Sequence, residues 1–275
     1  MLKKAWLLSL AIFCAACANV NKSVETRQLA DDQDIKSRYA ESSMQEQLKA
    51  GHWIAGPLDG QFIIIGLSGR MIKQEDEIET AKQDAARKAA MYKGLQGTIE
   101  INSTTGSRGF FDYSAESKLD LQYDQNFEQY LELLTFNPEK DLLRTDGAVY
   151  IRFKYNTSGP GINYYPKKIN NKRPAWVNNK DLPQFDGYTT IVGYAGRRIR
   201  FRDTVFASCE SAAAGLIETA SYTVESSEKT GSNQGSTSTI NIRSQGSLAN
   251  FQVLEFWVNP DTQAVSTLAI ARVSK

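Results

Sequence analysis

The chain has 275 residues, 32 of them basic and 31 acidic, giving a net charge of +1, and 41% of its residues are hydrophobic. Such a length suits one large domain or two small ones, and the apolar share supports a packed core rather than a disordered chain. The near balance of charge excludes a dedicated nucleic-acid binder, which carries a basic excess.

The N-terminus reads "MLKKAWLLSLAIFCAACANV", in which Lys3 and Lys4 precede an apolar run from Ala5 to Phe13 and then small residues. That order predicts a secretory signal peptide over residues 1–16, too short and too early to span a membrane in the mature chain. Its end, "CAAC", resembles a bacterial lipobox: Ala15 and Ala16 fit the signal peptidase, and Cys17 offers the thiol that is diacylated. Cys14 stands where Leu is usual, and plain secretory cleavage is the alternative. The resemblance implies a palmitate-bearing lipoprotein anchored through Cys17. Ala18, where Asp would retain such a protein at the inner membrane, implies the outer membrane and its periplasmic face. Once Cys14 is removed and Cys17 lipidated, Cys209 stands alone, so no intramolecular disulfide is expected on this oxidising route.

Residues 17–51 are polar and read as a lipidated tether with one helix over 35–49. From there the chain repeats itself. "FIIIGLSGRMIKQED" at 62–76 aligns with "TTIVGYAGRRIRFRD" at 189–203 at a constant offset of 127, with Gly66 on Gly193, Gly69 on Gly196, Arg70 on Arg197 and Asp76 on Asp203. "HWIAG" also resembles "AWVNN", and "LLTFNPEKD" resembles "EFWVNPDTQ". The predicted units are 52–156 and 175–275, joined by a Gly-, Pro- and Asn-rich linker at 157–174.

Each unit begins with a β-branched run (Ile63–Ile65; Ile191–Val192) that reads as a buried strand. A Gly-x-x-Gly-Arg turn follows, with glycines expected at positive φ, and then a helix capped by Asp76 or Asp203. The helices carry narrow apolar stripes: Ile78, Ala81, Ala85, Ala89 and Tyr92 in the first, Val205, Cys209, Ala212 and Leu216 in the second. Period-two segments come next, "GTIEINS" with "SKLDLQY" and "SYTVES" with "STINIRS", joined by Gly/Ser-rich loops at 103–115 and 226–238. Two further strands flank each Asn-Pro turn, at 129–136 and 148–155, then 251–258 and 266–273. The expected architecture is α+β: two tandem repeats, each β-α-β-β-β-β with one helix on an antiparallel sheet.

Catalytic chemistry finds little support. His52 is the single histidine, which closes Ser-His-Asp and multi-His metal schemes, and no cofactor or metal is expected. Cys209 falls on the helix stripe, where a cysteine is small, buried and inert. The glycine turn lacks the spacing of a dinucleotide fingerprint and the Lys-Ser/Thr of a phosphate loop. Arg197, Arg198, Arg200 and Arg202 are the candidate anion or partner contacts. If the run is extended, Arg198, Arg200 and Arg202 share one face and Ile199 and Phe201 the other. Lys167, Lys168, Lys172 and Arg173 would enlarge the patch toward an anionic lipid or glycan.

The repeated unit resembles outer-membrane lipoproteins of the lipoprotein-20 type. The likeness lies in a Trp near the start ("RPAWV", "GHWIA"), an apolar strand ending in Gly ("TIVGYA", "IIIGLS") and the Ala-rich run "TAKQDAARKAA". It implies a membrane-anchored, non-catalytic protein with an envelope protein as partner, some members of the family being linked to flagellar or envelope assemblies. A periplasmic module binding an anionic glycan or lipid through the arginine cluster is the alternative.

Overall fold

The computed structural model describes residues 43–56, 62–107, 111–145, 147–157, 162, 164, 172–220, 222–230 and 236–274. Ser43 caps a short helix α1 (Met44–Lys49) through a capping box with Glu46. Residues 43–51, part of the predicted tether, are therefore structured, and Gln47 is buried where its side chain accepts from the Ile54 N–H at 3.2 Å. The remainder of the predicted 35–49 helix lies outside the described residues.

Strand β1 (His52–Ile54) leads to β2 (Ile63–Gly69), helix α2 (Gln74–Lys93), and a long hairpin of β3 (Leu95–Ser107) and β4 (Phe111–Gln122). A helical turn α3 (Glu128–Leu131), β5 (Leu134–Thr135), a turn α4 (Pro138–Asp141), β6 (Leu142–Arg144) and β7 (Ala148–Tyr155) follow. After the linker a 3-10 turn spans Ala175–Asn178, and then come β8 (Thr189–Ala195), helix α5 (Phe201–Ala220), β9 (Tyr222–Thr230), β10 (Ser236–Val258) and β11 (Val265–Ser274). Among the described residues every strand pairing is antiparallel, so the fold is mixed α and β on antiparallel sheets.

Several expectations need correction. The helices start at Gln74 and Phe201, with Asp76 and Asp203 inside the first turn rather than at the cap. Much of 103–115 and 226–238 is strand, because β-capable Ser and Thr extend the hairpin arms to Ser107, Phe111, Thr230 and Ser236. The strand expected at 129–136 is mostly helical turn, and the one expected at 251–258 is the C-terminal end of the 23-residue β10.

The strands also do not divide into one sheet per unit. A seven-stranded sheet runs β4-β3-β10-β11-β8, with β1 and β9 also paired to β10, whereas β2, β5, β6 and β7 form a four-stranded sheet. Strand β10 is the axis of the larger sheet. Its residues 237–248 pair with β3 on one edge, and 236–244 pair with β9 on the other. It pairs with β11 from Ser247 to Val258, with a register shift around Asn250, which takes a positive φ of 56°, and with β1 over residues 255–257.

Small-residue stripes bring the helices onto the sheets. Ala81, Ala85, Ala86 and Ala89 of α2 are wholly buried against Ile64, Val149, Ile151 and Phe153. Helix α5 buries Val205, Cys209, Ala212, Leu216 and Ile217 with Ile99, Leu248, Phe256 and Ala269. On the opposite face of β10 and β11, Leu254, Leu268 and Ile270 pack under Tyr164 and Trp176 from the linker region. The period-two alternation of Leu268, Ala269 and Ile270 thus feeds two cores from one strand.

Candidate functional site

The arginines lie around the β8–α5 connection, where residues 196–200 are irregular and exposed. The extended face predicted for Arg198, Arg200 and Arg202 does not form, because the helix starts at Phe201 and rotates Arg202 by helical rather than strand periodicity. Ile199 is fully exposed, as is Ile72 at the same place in the first loop. The loop is held from inside. The Arg198 N–H donates to Thr204 Oγ1 at 2.9 Å, just as the Met71 N–H donates to Glu77 Oε1 at 2.9 Å.

Arg198 and Arg202 line an open groove of about 840 Å³ shared with α2. Acidic Glu79, Asp84, Asp203 and Glu210 line it too, so the potential there is mixed. Arg202 Nε is 3.6 Å from Asp203 Oδ1. The Arg87 guanidinium lies 3.6 Å from the Phe206 ring centroid and donates from Nε to the Tyr123 hydroxyl at 2.8 Å. Burial pushes the Glu210 carboxyl up, against the pull of Arg87 and Arg198. An anion entering here would meet carboxylates as well as arginines. The predicted patch does not extend through Arg173, whose guanidinium sits over Trp257 at 5.5 Å, and Lys167 and Lys168 lie outside the described residues.

The glycines of the Gly-x-x-Gly-Arg turns do not take positive φ, contrary to expectation. Positive φ among described glycines occurs at Gly51 and Gly187. Gly66 and Gly193 instead lie inside strands, where an added Cβ would sit 2.1 Å from Ala81 O and 2.3 Å from Ser208 O. They are close-approach glycines under a helix. Around Gly69 and Gly196 nothing lies within 4 Å of such a Cβ.

Among the described residues four carboxylates are buried, Glu77, Asp84, Glu255 and Asp141, the last paired with Arg152 at 2.7 Å, and sequence reasoning missed all of them. Glu255, 1% exposed, is bonded to His52 Nε2 and to the Tyr164 hydroxyl, and accepts from Trp176 Nε1 at 2.8 Å. Burial, then the neighbouring Glu255, holds the Tyr164 hydroxyl well above its ordinary pKa. The cluster ties β1, the linker and β10 together. The lone histidine beside a tryptophan was the available signal for it. Glu77 takes Arg70 Nε at 3.1 Å and Arg144 Nε at 2.8 Å as well as the Met71 N–H, and the Met71 bond is the main cause holding its pKa below the ordinary value.

Asp84 and Lys88 form a buried pair at 2.6 Å. Their other bonds go to the Leu67 N–H and the Ile65 carbonyl, the edge of β2 that faces away from β7. Cys209 has no exposed surface, and burial pushes its thiol up to about 12. A nucleophilic role, which needs an accessible thiolate, does not fit it.

The two hairpins present a different kind of surface. They lie side by side in the order β4-β3-β10-β9, twelve residue pairs joining β3 to β10. Near the base the face is covered: Ile99 is buried and an added Cβ at Gly97 would meet Ile217 Cδ1 at 2.2 Å. At the same height as Ile99, its partner Leu119 on the edge strand β4 is exposed, and so is Ile240 farther out on β10. Cys17 lies outside the described residues. Among the described residues no group of three His, Cys, Asp or Glu could hold a metal ion, and no helix is long and apolar enough to cross a membrane. No family model, curated protein or solved structure matches this chain.

Proposed function

We propose that this chain is a lipoprotein of the bacterial outer membrane, similar to the lipoprotein-20 type, whose duplicated α+β unit serves envelope assembly rather than catalysis. The signal peptide over 1–16 and the thiol of Cys17 supply the anchor. Several acyl chains, at about 0.8 kcal/mol per buried CH₂, hold such a protein firmly to a bilayer. The observation that carries the assembly reading is the hairpin pair. It presents a four-stranded antiparallel ribbon that leaves Leu119 exposed on the edge strand β4 and, farther out, Ile240 exposed on β10.

Recurrent contacts support the duplication. At the offset of 127, Leu67 N–H to Asp84 corresponds to Tyr194 N–H to Ser211, and Met71 N–H to Glu77 corresponds to Arg198 N–H to Thr204. The two long helices are 20 residues each. The pairing order β2-β7-β5 has its counterpart in β8-β11-β10.

The anchor is tested by Cys17→Ala in cells fed labelled palmitate. Loss of label and of outer-membrane fractionation is expected. Label that survives the substitution removes Cys17 as the lipid site.

A further inference from the structure

The two hairpins are joined head to tail. Within the chain, the first arm of one hairpin (β3) pairs with the second arm of the other (β10). The outer edges left over are the second arm of the first hairpin, β4, and the first arm of the second, β9. These are the counterparts of the two edges already joined. Among the described residues β4 pairs only with β3 and β9 only with β10.

An open strand edge is a row of unmet N–H and C=O groups that templates pairing with another chain. At 12 and 9 residues these edges are long, and neither strand contains proline to block it. We infer that β9 of one molecule pairs antiparallel with β4 of the next, repeating between copies the β10–β3 contact seen within one. The inference rests on the assembly reading above and names the partner as a second copy of this chain. Because the contact is heterologous, each added copy again offers the same two edges, so the product is a closed ring or an open filament rather than a dimer with an isologous interface.

The internal contact also sets the register. Glu100 stands opposite Arg243, Gln122 is opposite Gln96, and Thr223 is opposite Arg243. Ser227 holds the place of Glu100 in the second hairpin, and Gln122 holds the place of Arg243. Between molecules, Ser227 therefore faces Gln122, and two positions along Lys229 faces Asp120. Opposite residues of an antiparallel pair lie about 4.5–5.5 Å apart at Cα, within reach of a disulfide.

The test is oxidative cross-linking of the full-length chain in intact cells, read on non-reducing gels. Gln122→Cys with Ser227→Cys in one chain is expected to give a ladder past dimer, and each substitution alone to give none. Monomer from the double variant overturns the inference, as does dimer from either single variant, which would mark a two-fold contact. A ladder that persists after Cys17→Ala has released the protein from the membrane supports self-assembly and shows that the anchor is separate from it. Cross-links only to other proteins overturn self-assembly while leaving an envelope-assembly role standing.

Discussion

Gly193 and Gly196 belong to the same Gly-x-x-Gly-Arg motif, yet the geometry gives them opposite sensitivity. A Cβ on Gly193 would lie 2.3 Å from Ser208 O and 2.4 Å from Ala212 N, both helix backbone atoms that no side-chain rotation can move aside. Gly193→Ala must therefore push α5 off β8, at about 3 kcal/mol or more, the upper end of overpacking costs. Gly196→Ala meets nothing within 4 Å and needs no unusual φ, so its effect should stay within about 0.5 kcal/mol. Chemical denaturation of both variants checks this: equal midpoints would show that the close approach is not what holds the motif. The motif's residues were legible in the sequence, but its physics was not. Periodicity cannot distinguish a glycine that turns the chain from one that admits a helix.

At the scale of elements, what could be read depended on how local the determining forces are. Helix stripes such as Ala81, Ala85 and Ala89 follow from spacing alone, and both long helices lie within a few residues of expectation. The union of 236–244 and 251–258 into one β10 depends on distant partners, β3, β9, β11 and β1, and left no local mark. The cover on β2 was equally hidden. That strand has β7 on one side, and on the other Asp84 and Lys88 meet the Leu67 N–H and Ile65 carbonyl from α2. In sequence the pair looks like an ordinary helix-surface i, i+4 ion pair, but Asp84 and Lys88 are only 8% and 9% exposed. Removing one partner strands the other charge, so Asp84→Ala should cost about 3–5 kcal/mol. Asp84→Ala with Lys88→Met should cost clearly less than the sum of the singles, with a coupling of about 1–3 kcal/mol in a double-mutant cycle. Additive losses would mean that the two side chains serve the strand edge independently.

For the whole molecule, the two units predicted from the sequence do not own separate sheets. One edge of β10 is closed by first-unit strands: β3 along 237–248 and β1 along 255–257. The second core is shared as well, since Trp53, Met91, Leu95 and Ile99 pack with Val205, Leu216 and Phe256. The buried Glu255 reaches across too, bonded to His52 from the first unit. A chain of residues 175–275 alone would keep α5, β8, β9, β10 and β11 but expose a long β10 edge and uncover that core. It would also leave Glu255 buried without its His52 partner. Each of these losses is of a kind that favours aggregation or unfolding over a stable fold. The fragment should therefore be insoluble or lack a cooperative unfolding transition, whereas the chain from residue 43 onward folds. Dispersed amide signals with cooperative melting from the fragment would show instead that the second unit holds its own fold. The shared strands would then be an interface between finished domains.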